Sequence, residues 1–295
     1  MNVAKLPAGP GVYRFRDARG RALYIGRATH LRHRVGSYWS DLRGRRHLVR
    51  MIPQIAAIEA VGCDSVHEAA WLERNLLERS KPRWNRIRGG TEVTTCIRVE
   101  PAGLTVAYWP ASAGNGETYG PYLGGTRSRL AVSALDRVLP LRYTHDRLDG
   151  CSRDLADVRG VVAADRDRFL ATIAGVLSRQ PAEVAWLRER LTELRDRASA
   201  GLAFELAARI QQELEAVDWV VAEQKVTRLA AGADGTAYGW ADGLLVRFHL
   251  RAGRLSGWEQ RTCTLPAARR HLDGTPDEWR AFAARAAELG RQLLS

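Results

Sequence analysis

The residues best equipped for chemistry sit in the first third of this 295-residue chain, at spacings that can bring them together. Residues 11–26, GVYRFR-DARG-RALYIG, read as a β-hairpin with Asp17 and Gly20 in turn-favouring places. With residues 17–20 as the loop, Arg16 faces Arg21 and Tyr13 faces Tyr24. Opposed residues share a sheet face with Cβ atoms about 4.5–5.5 Å apart, so two phenols converge on one spot. An ordinary aromatic cross-strand pair is the plainer meaning of that pattern. Downstream, a helix is expected from near Thr29. On it His30, Arg34 and Tyr38 are spaced by four, while Leu31 and Val35 pack inward. Arg34 and Tyr38 can thus face the tyrosine pair, and Arg32 belongs to a basic, solvated face.

A carboxylate is the second anomaly. A second helix runs from Ser65, a suitable N-cap, through HEAAWLERNLLERS. Glu78 has Arg74, Asn75, Lys81 and Pro82 around it and is a solvated charge. Glu73 has Ala69, Ala70, Leu76 and Leu77 three and four positions away. A carboxylate in such a stripe is costly unless a cation or hydrogen bonds satisfy it. A salt bridge to an arginine, or a stripe edge facing water, would account for it. Metal ligation is the functional alternative.

The elements that carry these residues belong to a basic segment. The formal charge is +12; residues 1–90 hold 18 Lys+Arg against 7 Asp+Glu, which leaves the remainder at +1. A localised cationic unit implies a polyanion partner. No apolar run approaches the roughly 18 residues of a membrane span, and MNVAKLPAGPGVYRFR lacks a secretory core. A cytoplasmic protein is expected, with no membrane association. Cys63, Cys96, Cys151 and Cys263 are too scattered for a zinc or redox pair.

Pro82 and Gly89-Gly90 close a first unit, 1–90. Strands around a PAG turn and a helix over 128–139 make a small β/α segment, 91–140. Residues 141–181 read as a linker. Residues 182–226 read as a helical hairpin broken at Ser199-Ala200-Gly201. Residues 227–295 hold a β-meander with a turn at RAGR and a terminal helix. The class is α+β.

The motifs then become specific. Gly11-Val12-Tyr13, ten residues and Tyr24-Ile25-Gly26 resemble the GIY-YIG nuclease motif, and YIGRATHLRHRVGSYW with EAAWLERNLLERSKPRWN resemble the UvrC family's version of it. Thr118-Tyr119-Gly120-Pro121-Tyr122 is similar to that family's GPY segment. LTELRDRASAGLAFELAARIQQELEAV is similar to its UVR hairpin, and 236–265 to the β-segment that follows. The chain stops before the family's RNase H-like nuclease and helix-hairpin-helix tail, so the resemblance implies a shortened paralogue.

The resemblance implies a GIY-YIG domain, a small antiparallel sheet flanked by helices. Its site would comprise Tyr13, Tyr24, Arg34, Tyr38, Glu73 and Asn85. Glu73 would be the sole carboxylate ligand of one divalent metal, Mg²⁺ or Mn²⁺. Arg27 stands where lysine is usual and keeps a phosphate-binding charge. Tyr24 is the preferred base, although a phenol with a reference pKa near 10 needs cations to depress it. Arg32, Arg43, Arg45 and Arg46 are expected DNA contacts. Phe204, Leu206 and Ile210 are expected to meet UvrB, with UvrA reached indirectly. An iron–sulfur cluster needs about four thiolates, and the interval that carries them in relatives holds Cys151 alone, so none is expected. The implied function is a DNA endonuclease that cuts on the 3′ side of a lesion in nucleotide excision repair. The rivals are a non-catalytic DNA- and UvrB-binding adapter and a nuclease of another DNA pathway.

Overall fold

The computed structural model describes residues 3–40, 46–85, 92–100, 102–109, 116–222, 234–251 and 254–294. The chain forms two compact units, one of Met1–Glu92 with Glu223–Ser295 and one of Val93–Ala222. The α+β expectation holds: small antiparallel three-stranded sheets are flanked by helices.

The first unit opens with β1 (Gly11–Arg16), β2 (Ala22–Ala28), α1 (Leu31–Ser40), β3 (Ala57–Gly62) and α2 (Val66–Arg79), in the sheet order β2-β1-β3. The hairpin register differs from the expected one. The Asp17 carboxylate accepts the backbone N–H groups of Arg19 and Arg21, both at 2.9 Å, which draws Arg21 into the loop. Arg16 then pairs with Ala22, and a bulge beyond it pairs Phe15 with Tyr24 and Tyr13 with Gly26. Tyr13 and Tyr24 are therefore diagonal neighbours rather than directly opposed. The net slip is two residues, and an even slip keeps both side chains on one face.

Helix α2 begins as expected. Ser65 Oγ accepts the Glu68 N–H at 3.0 Å, and the buried Glu68 carboxylate accepts the Asp64 N–H at 2.7 Å. These bonds satisfy donors that a helix start leaves free.

The second unit contains β4 (Thr94–Glu100), β5 (Gly103–Tyr108), β6 (Glu117–Leu123), α3 (Gly125–Val138), α4 (Gly150–Arg159), α5 (Arg166–Leu177), α6 (Pro181–Ala200) and α7 (Phe204–Val221). The sheet order is β5-β4-β6, with the GPY segment in β6. Residues 141–181, expected as a linker, hold α4 and α5. Asp149 caps α4 by accepting the Ser152 N–H at 2.7 Å, and α5 buries Phe169, Ile173 and Val176, spaced by four and three. Helices α6 and α7 form the expected hairpin.

The first unit resumes with β7 (Gly235–Ala241), β8 (Leu244–Arg251), β9 (Arg254–Thr262), α8 (Leu265–Leu272) and α9 (Asp277–Leu294). Helix α9 packs on β7, β8 and also β3, while α2 packs on β9. Arg14 of β1 lies 4.3 Å from the Trp258 ring centre and donates to the Trp258 carbonyl at 3.2 Å. The meander and terminal helix, expected as a separate part, thus share a unit with the first 90 residues. Among the described residues no helix is long and apolar enough to cross a membrane.

Candidate active site

Three phenols meet over the β1–β2 face. The Tyr13 and Tyr38 hydroxyls are 2.7 Å apart, and both side chains are fully buried. The Tyr24 ring stacks on Tyr13 at 6.1 Å and meets Tyr38 edge-on at 6.0 Å. Phe15, two positions after Tyr13 and so on the same strand face, completes the cluster 5.0 Å from Tyr38. Sequence reading did not single it out, although that alternation was the available signal.

The glycines of the motif make this cluster possible. A Cβ on Gly26 would stand 2.5 Å from the Tyr13 hydroxyl and 2.8 Å from the Tyr24 ring. A Cβ on Gly11 would stand 2.4 Å from the Val61 carbonyl and 2.5 Å from Leu31. Both positions need a missing side chain because neighbours fill the space.

Arg34, on α1, reaches the phenols as its spacing suggested. Its guanidinium lies 5.8 Å from the Tyr38 ring centre and acts electrostatically on all three phenols. Burial works against the Arg34 charge, and the neighbouring phenols outweigh it, so its pKa is raised. Burial likewise pushes all three phenols well above their ordinary range, with Arg34 pulling the other way. The tyrosines are therefore hydrogen-bonding hydroxyls at neutral pH.

Glu73 belongs to the same site. Its Oε1 accepts the Arg27 backbone N–H at 3.1 Å, and its Oε2 lies 3.3 Å from Arg27 Nε. The salt bridge weighed from sequence is thus present. Burial raises the Glu73 pKa, and the Arg27 charge and N–H offset this only in part. Arg34 acts electrostatically on Glu73, and Glu73 on Tyr24. Asn85 clamps strand β2: its Oδ1 accepts the Ile25 N–H at 3.0 Å, and its Nδ2 donates to the Ile25 carbonyl at 2.8 Å. It positions the strand that carries Tyr24 and Arg27.

No group of three or more His, Cys, Asp or Glu that could hold a metal occurs among the described residues. One carboxylate beside hydroxyls is a donor set for a hard cation completed by water and phosphate, and not for a tetrahedral zinc site.

The outlying expectations fare unevenly. Arg32 is exposed, and its Nε donates to the Leu6 carbonyl at 2.7 Å. Arg43 and Arg45 lie outside the described residues, as does the side chain of Arg46. On α7, Phe204 is 63% and Leu206 44% exposed, whereas Ile210 is 2% exposed and belongs to the core of its unit. Ile210 lies seven residues before Val217 on the inward face of the helix, so it is not a contact surface.

The family of UvrC-like GIY-YIG domains matches residues 9–86. That segment belongs to the family. The expected GIY-YIG domain of UvrC type is thereby borne out for this segment. Beyond the domain, the chain is similar to UvrABC system protein C of Trichlorobacter lovleyi, at 28% identity over 87% of this chain and 44% of the relative. The protein of that name from Sphingopyxis alaskensis is 29% identical over 93% of this chain and 44% of the relative. That from Mycobacterium sp. (strain KMS) is 31% identical over 85% of this chain and 40% of the relative. The chain therefore spans about two-fifths of their length. Among solved structures, the GIY-YIG N-terminal endonuclease domain of UvrC from Thermotoga maritima, bound to magnesium, is 30% identical. It covers 28% of this chain and 91% of that one, with a TM-score of 0.26.

Proposed function

We propose that this protein is a metal-dependent DNA endonuclease that cuts on the 3′ side of a lesion in nucleotide excision repair, acting with UvrB. One observation carries the reading: the GIY-YIG segment brings Tyr13, Tyr24, Tyr38, Arg34 and the half-buried Glu73 into one electrostatically coupled site. A non-catalytic adapter has no need of that assembly. Similarity to UvrABC system protein C along most of the chain favours excision repair over other DNA pathways. The exposed Phe204 and Leu206 favour a partner at the hairpin tip, UvrB, through which UvrA would be reached.

In this mechanism the chain's own residues hold the phosphate and move one proton. Arg34 and Arg27 neutralise charge that develops on the phosphate oxygens. Tyr24 Oη, the least enclosed of the three phenols, would take the proton of the attacking water in its ionised form, having first released its own proton to solvent. Arg34 is the cation in place to offset the burial that otherwise holds Tyr24 protonated. Tyr13 and Tyr38, bonded to each other, fix the orientation of Tyr24. Glu73 would hold Mg²⁺ or Mn²⁺, which when bound polarises the phosphate and the water. Asn85 keeps β2 in register beneath these groups. The reading includes no iron–sulfur cluster, since such a cluster needs about four thiolates.

The test is an end-labelled, lesion-bearing duplex incubated with Mg²⁺ or Mn²⁺, with and without UvrA and UvrB. A cut on the 3′ side is expected. Glu73→Gln should abolish it while DNA affinity stays within about threefold, because the cationic surface remains. A fully active Glu73→Gln variant would remove the proposed site.

A further inference from the structure

Among the described residues the clasp on Glu73 comes from Arg27 alone, and its two halves differ in kind. Oε1 is held by the Arg27 backbone N–H, and that backbone is fixed because Arg27 pairs with Val12 in the sheet. Oε2 is held by the Arg27 guanidinium, on a flexible stem that is 45% exposed, whereas the Glu73 side chain is 17% exposed. The backbone contact sets the direction of the carboxylate, and the side-chain contact can be exchanged. Among the described residues the Arg27 guanidinium has no other ion-pair partner.

We infer that Arg27 is an exchangeable counter-ion of Glu73: a divalent cation binds by displacing its guanidinium, which then faces the DNA phosphate. This inference rests on the metal site proposed for Glu73. Two cations cannot share one carboxylate oxygen at about 3 Å without strong repulsion, since unit charges 4 Å apart already interact by roughly 4 kcal/mol at an effective dielectric of 20. The guanidinium carries a fixed positive charge, so only movement relieves the conflict. It must move, and its exposed stem lets it. Arg27 thus competes with the metal before DNA arrives and serves the phosphate afterwards.

The opposite reading makes Arg27 a fixed support that keeps Glu73 ionised, and it gives the opposite sign when the charge is removed. The experiment is a Mn²⁺ titration of the full chain without DNA at pH 8, with free Mn²⁺ read by electron paramagnetic resonance. Arg27→Gln should bind Mn²⁺ about three- to fivefold more tightly than wild type, the scale of a half-exposed ion pair. Arg27→Lys, which keeps the charge, should stay near wild type. Arg27→Met keeps the apolar stem and replaces the Gln variant if that one fails to fold. Unchanged or weaker Mn²⁺ binding by the neutral variant, with binding lost in Glu73→Gln, overturns the inference alone. Undiminished binding by Glu73→Gln overturns the metal site and this inference with it.

Discussion

Gly26 shows how tightly the site depends on what a residue lacks. It pairs with Tyr13 across the sheet, and a methyl there would lie 2.5 Å from the Tyr13 hydroxyl. The ring could escape only by breaking its 2.7 Å bond to Tyr38. Gly26→Ala should therefore destabilise the protein by about 1–3 kcal/mol, the usual cost of overpacking, and abolish cutting with it. Urea unfolding checks the first part and the duplex assay the second. A loss under about 0.5 kcal/mol with full activity would show that the ring moves freely. At this scale the sequence was informative, because periods of 2 and 3.6 residues decide which side chains share a face. That is why Tyr13, Tyr24, Arg34 and Tyr38 could be grouped even though the hairpin register was misjudged by two residues, whereas Glu73 joined them only through the family resemblance. The clasp of Arg27 on Glu73 was beyond such reasoning, since it joins strand to helix across 46 positions.

Helix α7 carries a carboxylate whose meaning is set by another element. Glu213 follows Arg209 by four residues and looks like half of a surface pair, yet it is fully buried. Arg137 of α3 donates to it at 2.6 and 2.9 Å, and Ser133 donates at 2.7 Å. Burial works to raise the Glu213 pKa, and these donors outweigh it and hold the carboxyl below its ordinary range. A depressed folded-state pKa gives stability that is complete above the unfolded value, about 4.3, and is lost as pH falls through the folded one. Arg137→Ala leaves a buried charge short of its main partner and should cost about 3 kcal/mol or more at pH 7.5. The gap from wild type should narrow toward pH 4, where the stranded carboxyl can take a proton. Urea unfolding at the two pH values decides it, and a pH-independent gap would assign the loss to packing. Neither this pair nor helices α4 and α5 was legible beforehand. Their sequence is polar enough to pass for a linker, and their apolar residues find a core only among distant elements.

Over the whole molecule, charge divides along the unit boundary. The unit with the GIY-YIG site holds 29 Lys+Arg against 16 Asp+Glu, and the other holds 16 against 17. The excess in the first 90 residues was visible in the sequence. The return of the last 60 residues or so to the same unit was not, because the Arg14–Trp258 contact spans 244 positions and leaves no local trace. The nearly neutral unit instead exposes Leu202, Phe204 and Leu206 at the hairpin tip. A polyanion and a protein partner should therefore be read by different units. Duplex affinity of the full chain should fall steeply with salt, because each neutralised phosphate releases counterions. Phe204→Asp should leave that slope unchanged. The same variant should weaken association with UvrB by about tenfold or more, the loss of one aromatic anchor. Because Phe204 is mostly exposed, its melting temperature should match wild type. Equal UvrB binding by the folded variant would place the partner surface elsewhere. A changed salt slope would mean that the hairpin tip also touches DNA, and the division of labour inferred from charge would then fail.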